Sequence, residues 1–492
     1  MPKLSEIRAV ETPVAEWLSK MGWVFRDNEA LKAWKRPLAN PVIEGILVEQ
    51  IVKINGIAPT LARQVADTLM QHLNHPDCLE GNEKFLALLR TGVTVAVGQD
   101  APTFRVIDFN NLANNDYTIT RQYWVQGEEL IKPDIVLLVN GIPLVPIEAK
   151  QRARKGTNYQ EGVKQFSLYA PKAPRLWAAT LFGVACNGRV AKYGVPGQSS
   201  AYFAEWKDLT VDTHWDNPLI KADNGLCATK YAEETGGALL LDIDELERMK
   251  RSLVSLLQPS RLLDMLKNFV VFERSQEGKI KKVARYQQLR AANRINHRVS
   301  NTDLKQGVIW HTQGSGKSLT MLYTAYKLRT NPKLADPTVY IVVDRKDLRE
   351  QLGGTFDDCE FPNTIVPVSI PQLKALIAQR PGAVIITTIQ KFNEVAGQVK
   401  ADDRSTTVVL IDEAHPQPIR RLPDGAASGT AQCAPLCLYR HAHSQNASGV
   451  RCKRPGWQAG ALPRPLQHSG CYRGRRDQAD TLHLWSRRSA AR

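Results

Sequence analysis

Residues 307–328 read GVIWHTQGSGKSLTMLYTAYKL. An apolar run, a glycine-rich loop and a helical stretch follow one another, and that order decides the fold of the second half of the chain. GSGKS at a strand-to-helix junction is the context of a phosphate-binding loop. Gly314, Ser315 and Gly316 let backbone N–H groups close around phosphate oxygens, and the positive end of the following helix adds attraction. Lys317 would reach the β- and γ-phosphates, and the Ser318 hydroxyl would ligate Mg2+. His311 stands where the pattern usually has its first glycine.

Downstream the rhythm repeats in TVYIVVDRKDLREQL (338–352), AVIITTIQKF (383–392) and TVVLIDEAH (407–415). Short apolar runs alternating with helical stretches predict an α/β fold, a parallel sheet wrapped by helices. Ligands of such sheets bind at the C-terminal edge of the strands. Asp412 and Glu413 emerge there, the first suited to hold Mg2+ and the second to polarise an attacking water.

The N-terminal half reads differently. Residues 1–100 are mainly helical, with Val14, Trp17, Leu18 and Met21 on one face. Residues 100–200 alternate short apolar runs with turns, which predicts a mixed sheet. Residues 240–298 return to helix. Within the sheet, KPDIVLLVNGIPLVPIEAK (132–150) is a β-hairpin turning at Asn140-Gly141. Pairing Val139 with Ile142 and counting outward sets Asp134 opposite Ile147, one step from Glu148. Glu148 and Lys150 share a face. Pro143 and Pro146 suggest an edge strand or a bulge. Two carboxylates and an amine at one hairpin end can hold a divalent cation and stabilise a departing oxyanion. Gln165 and Tyr169, four apart on a helix beginning near Gly162, share a face beyond it.

Composition bounds the rest. The chain has 492 residues and a formal charge of +16. Its charge is uneven, because residues 416–492 hold 12 Arg, one Lys and only three acidic residues. The body is mildly basic, which permits a nucleic-acid partner without requiring one. No long apolar run marks a membrane span, the N-terminus has no apolar signal core, and the scattered cysteines before residue 416 suit a reducing cytoplasm.

The downstream motifs resemble those of superfamily 2 helicases and translocases. HTQGSGKS and IDEAH match the nucleotide motifs, and VDRKDLREQ and TTIQKF fall where DNA-contacting motifs fall. ARYQQLRA is similar to the adenine-reading segment, which implies Gln288 on the adenine edge and Tyr286 stacked beside it. Upstream, Asp134, Glu148 and Lys150 match the PD-(D/E)xK nuclease pattern, and QFSLY is similar to the Gln-Tyr element of some of those nucleases. Nuclease followed by motor resembles the restriction (R) subunit of type I restriction-modification enzymes over roughly residues 5–415. The resemblance implies a PD-(D/E)xK domain over 1–260 and a RecA-like lobe over 261–415. It also implies ATP and Mg2+ as cofactors, duplex DNA as substrate, and methyltransferase (M) and specificity (S) subunits as partners. A stand-alone ATP-dependent repair nuclease or helicase, and a non-catalytic binding protein, are the alternatives.

Past His415 the pattern breaks. Residues 416–492 fit neither helix nor strand periodicity and carry none of the further motor motifs, so they are expected to be unstructured. Three readings stand: a shifted reading frame, which would remove the second motor lobe and with it ATP-driven translocation; a basic arm for nucleic acid; and a zinc module drawing on Cys433, Cys437, His441, His443, Cys452 or Cys471.

Overall fold

The computed structural model describes residues 10–150, 159–207, 245–276, 278–301, 307–312, 314–379, 382–396, 407–412 and 434–440. They gather into two units. The first comprises 1–297, 318–332 and 350–364; the second comprises 298–317, 333–349 and 365–492. No helix among the described residues is long and apolar enough to cross a membrane.

The first unit opens with five helices, Thr12–Ser19 (α1), Asn28–Lys32 (α2), Glu44–Asn55 (α3), Pro59–Met70 (α4) and Cys78–Thr91 (α5). Val14, Leu18 and Met21 are buried as the periodicity predicts, and Trp17 is half-buried. Asp77 caps α5 by accepting from the Leu79 and Glu80 N–H groups.

Two short ribbons stand apart from the main sheet: Val93–Thr94 (β2) with Thr103–Phe104 (β3), and Val125–Gln126 (β5) with Leu130–Ile131 (β6). The seven-stranded sheet itself is mixed, as expected. Its order is β1 (Val24–Phe25), β4 (Tyr117–Arg121), β7 (Ile135–Val139), β8 (Ile142–Ala149), β9 (Gly183–Cys186), β10 (Ala191–Gly194) and β11 (Ala204–Glu205). β1–β4 and β8–β9 are parallel, the other pairs antiparallel.

The β7–β8 hairpin turns at Asn140 and Gly141, both with positive φ (50° and 78°), as a two-residue turn of this kind requires. A Cβ at Gly141 would also lie 2.5 Å from the Ile43 carbonyl oxygen, so the turn sits tightly on the start of α3.

Of the edge or bulge that its prolines suggested, the hairpin has the bulge and is interior to the sheet; the counted register is corrected. The prolines are tolerated because β9 pairs only with Ile147, Glu148 and Ala149, which leaves the Pro143 and Pro146 stretch laddered on one side. The register also slips once. Leu138 pairs with Pro143 but Leu137 with Val145, so Leu144 is an extra residue and Ile135 meets Ile147. Asp134 therefore falls across from Glu148 rather than Ile147.

Helices Tyr159–Lys172 (α6) and Pro174–Ala179 (α7) cover this part of the sheet. Phe166 is fully buried among Val136, Leu138, Ala185 and Leu176, with its ring edge-on to Trp177 at 5.8 Å. Burying such a side chain stabilises the fold by roughly 1.5–3 kcal/mol.

Residues 240–298 are not wholly helical. Helices Glu245–Leu257 (α8), Pro259–Asn268 (α9) and Tyr286–Asn301 (α10) frame a hairpin of Val270–Ser275 (β12) and Gly278–Val283 (β13). The β-branched start of β12 and the positive φ of Gly278 favour strand over helix.

Lys281 on β13 is buried, its Nζ donating to Asn82 Oδ1 at 2.7 Å and the Thr180 carbonyl at 2.8 Å. Burial, followed by the Arg90 charge, holds its pKa well below the usual lysine value. Because the folded value is depressed, the unfolded chain takes up this proton first as pH falls, and stability is lost on going down from 10.5. The urea midpoint is therefore expected to climb as pH rises towards 10.5, with a flatter slope in Lys281→Met. Equal slopes in the two proteins would contradict a depressed Lys281 pKa.

In the second unit a six-stranded sheet has the order Gly307–His311 (β14), Ala434–Arg440 (β19), Thr407–Asp412 (β18), Thr338–Val343 (β15), Val384–Thr388 (β17) and Thr364–Ile365 (β16). β14, β19, β18, β15 and β17 run parallel, as expected. Helices Lys317–Arg329 (α11), Lys346–Asp358 (α12), Ile370–Gln379 (α13) and Ile389–Ala396 (α14) follow β14, β15, β16 and β17 in the chain, with α11 from Ser318 and α12 from Glu350 assigned to the first unit. Tyr340, Ile385, Val409 and Ile411 of the strands pack with Leu373, Ile377 and Phe392 of α13 and α14. Of the residues after His415 only 434–440 are described, and they form a strand where the sequence pattern predicted none. Cys433, His441, His443, Cys452 and Cys471 lie outside the described residues.

Candidate active site

The slipped hairpin gathers the predicted nuclease residues. Asp134 Oδ2 accepts the Ala149 N–H at 2.9 Å. Lys150 Nζ lies 3.3 Å from Glu148 Oε2 and 3.8 Å from Asp134 Oδ2. The Lys150 backbone is fixed from the other side, its N–H donating to the Cys186 carbonyl at 2.8 Å.

Glu148 is fully buried, and its Oε1 has no hydrogen-bond partner among the described residues. Burial pushes its carboxyl well above the usual value, the neighbouring Asp134 pushes further, and Lys150 partly offsets both. A buried carboxylate oxygen without a donor is costly unless a cation is supplied. The donor set is hard oxygen, which suits Mg2+. Among the described residues no group of three or more His, Cys, Asp or Glu is disposed around a metal. A cation here would use Asp134 and Glu148 and complete its shell with water and phosphate, as Mg2+ commonly does.

Helix α6 lies beside these groups. A Cβ at Gly162 would meet Glu148 Cβ at 3.2 Å and Ala185 Cβ at 3.1 Å, so the glycine lets the helix ride close on β8 and β9. Sequence reading used Gly162 only as a helix start. A glycine inside a helix is the signal of such a close approach. Gln165 Nε2 donates to the Tyr169 hydroxyl at 2.6 Å. Burial and then the Glu148 charge raise the Tyr169 pKa, so the phenol stays protonated beside the carboxylates.

The predicted nucleotide residues are distributed between the units. In the second, Gly314 and Gly316 both have positive φ (79° and 78°), and the Ser315 N–H donates to the Thr312 carbonyl at 3.3 Å. Lys317 opens α11 and Ser318 follows it. Asp412 ends β18, and one strand, β19, separates it from β14. Since the three strands are parallel, Asp412 and the glycine loop emerge at the same sheet edge. Glu413 lies outside the described residues.

In the first unit, Tyr286 begins α10 with its ring edge-on to Trp206 at 6.4 Å. Gln288, buried one turn in, accepts the Arg285 N–H on its Oε1 at 2.8 Å. That bond closes half of a capping box at the start of α10, so the side-chain carbonyl is engaged at home.

Comparison with known proteins finds two family matches along the chain. Residues 3–198 match the family described as type I restriction enzyme R protein N terminus, and residues 287–422 match the SWI2/SNF2 ATPase family. The HindI type I restriction enzyme endonuclease subunit of Haemophilus influenzae is 32% identical over 433 residues, covering 82% of this chain and 38% of that protein. A type I restriction endonuclease subunit of Methanocaldococcus jannaschii is 26% identical over 436 residues, 84% of this chain and 40% of its own length. One of Staphylococcus saprophyticus is 24% identical over 314 residues, 63% and 30% respectively. The chain thus spans about two fifths of the length of the first two relatives. Mixed sheet, parallel sheet and both family matches place the chain among the endonuclease (R) subunits of type I restriction enzymes, as an N-terminal portion.

Proposed function

We propose that this chain is the nuclease and first motor lobe of a type I restriction subunit, a PD-(D/E)xK domain followed by a RecA-like lobe. Within a whole subunit it would cut unmodified duplex DNA in the cytoplasm, at sites reached by ATP-driven translocation and chosen by methyltransferase and specificity partners; the first motor lobe without the second would not translocate. The observation that carries the reading is the fully buried Glu148, with an unpartnered oxygen, beside Asp134 and Lys150.

In this reading Asp134 and Glu148 would hold Mg2+, which would supply an activated water and neutralise charge on the scissile phosphate. Lys150, 3.3 Å from Glu148 and 3.8 Å from Asp134, would stabilise negative charge building on the phosphate oxygens. Tyr169, held by Gln165, orients the substrate or its water through a neutral hydroxyl. In the glycine loop Gly314, Ser315, Gly316 and Lys317 would cradle the ATP phosphates, Ser318 and Asp412 would hold Mg2+, and Glu413 would activate the hydrolytic water. Tyr286 and Gln288 are the proposed adenine contacts, Gln288 with its Oε1 taken by the Arg285 N–H.

The test is cleavage of plasmid DNA by the full chain in Mg2+, alone and with ATP plus its methyltransferase-specificity complex. Strand scission that EDTA abolishes is expected. Intact plasmid under every one of these conditions would refute the nuclease assignment.

A further inference from the structure

We propose that the outward face of the β5–β6 ribbon carries the backbone of duplex DNA alongside the nuclease centre, with Lys132 on a phosphate and Trp124 packed against the adjoining sugar or base. The location rests on the nuclease reading above. The ribbon pairs Val125 with Ile131 and Gln126 with Leu130. Val125 and Ile131 are buried, whereas Trp124 and Leu130 keep 40% and 45% of their surface. Exposure alternates on towards the active site: Leu130 open, Ile131 buried, Lys132 part-open, Pro133 buried, Asp134 part-open. Lys132 and the metal-binding Asp134 thus belong to one accessible face.

The separation is short. Two extended residues span about 7 Å, and a duplex advances about 3.4 Å per base pair. DNA with its scissile phosphate at Asp134 therefore passes Lys132 within about two base pairs. The surface is also rigid. Arg36 donates to the Trp124 carbonyl at 2.5 Å and to the Asn40 carbonyl at 2.6 Å, and its guanidinium lies 4.2 Å from the Tyr123 ring centre. Tyr123 N–H to Pro133 O (3.1 Å) and Gln122 N–H to Asp134 O (2.8 Å) tie the ribbon to the strand carrying Asp134. Lys132 Nζ sits 5.0 Å from the Trp124 ring centre, which pairs a cation with an aromatic face, a combination suited to nucleic acid. Glu128 and Glu129 mark the far turn, with Glu129 paired to Lys172. Like charge there keeps the duplex at the base of the ribbon, on the side of Asp134.

The test is binding of a labelled 20-base-pair duplex by the full chain, followed by anisotropy across a salt series, with Ca2+ in place of Mg2+. Lys132→Gln is expected to weaken binding five- to tenfold at about 0.1 M salt and to reduce the slope of log K against log salt by about one. Trp124→Ala is expected to weaken binding about tenfold with the slope unchanged, and Trp124→Phe to restore most of it. Lys53→Gln, an exposed lysine on α3, serves as the control. The proposal is overturned if Lys132→Gln behaves like Lys53→Gln and Trp124→Ala binds within twofold of the native chain. It is also overturned if these changes impair only capture of the methyltransferase-specificity complex, which would assign the face to protein. Ribbon-dependent binding by a chain that cuts nothing in Mg2+ would leave this surface standing and remove the nuclease reading.

Discussion

Glu148→Gln is expected to lower Mg2+-dependent DNA cleavage by at least about a thousandfold while making the metal-free chain more resistant to urea at neutral pH. The first effect follows from losing one of two carboxylates available to a cation. A thousandfold corresponds to about 4 kcal/mol of transition-state stabilisation, within reach of one metal ligand in a water-poor site. The second follows from linkage. Burial raises the folded Glu148 pKa well above 4.5. Such a group contributes stability that is fully present below the unfolded value and is lost as pH rises through the folded one. Glutamine is isosteric and does not titrate, so it escapes that loss. The native and variant chains should therefore converge near pH 4.5 and separate towards pH 8. Added Mg2+ should then raise the midpoint of the native chain and leave the variant unmoved. A variant that cuts within tenfold of native, or that gains nothing in stability at pH 8, would show that Glu148 neither binds the metal nor bears the burial cost.

Lys317→Ala is expected to weaken Mg-ATP binding about a hundredfold, or about 2.7 kcal/mol. Lys317 stands directly after two left-handed glycines and at the first position of α11. Its ammonium would be the loop's point charge for the β- and γ-phosphates, and charge-assisted bonds of that kind are the strong ones. Alanine is well tolerated in helices, so the fold should survive, with a melting midpoint close to native. Calorimetric titration with Mg-ATP reads the affinity directly. Binding within threefold of native would remove the phosphate-loop assignment.

Local chemistry made much of this legible in the sequence. The Asn140-Gly141 turn, the apolar run of β7 and the GSGKS junction each specify their own geometry. What escaped is what neighbours impose. Pro143 and Pro146 pointed to an edge or a bulge, but where the one-residue slip falls depends on how β8 is laddered by β7 and β9, and no count along the hairpin reveals it. The β12–β13 hairpin was hidden by charged residues that suit a helix as readily as an exposed ribbon. β19 offered only Leu436, Cys437, Leu438 and Tyr439 between a proline and an arginine, and its two partners, β14 and β18, are remote in the chain. Gln288 shows the reverse difficulty. Its identity suits adenine, but one of its polar atoms also closes the end of its own helix.

The extra residue at Leu144 gives the hairpin a parity. Side chains on a strand alternate between two faces, so the number of residues between the turn and Glu148 decides which side of the sheet the carboxylate occupies. One residue more beyond the bulge would set Ile147 across from Asp134 and turn Glu148 to the other face, without altering a single catalytic group. Over this stretch of β8, length is under tighter constraint than composition: apolar residues can exchange for one another, but an insertion of one separates the two carboxylates.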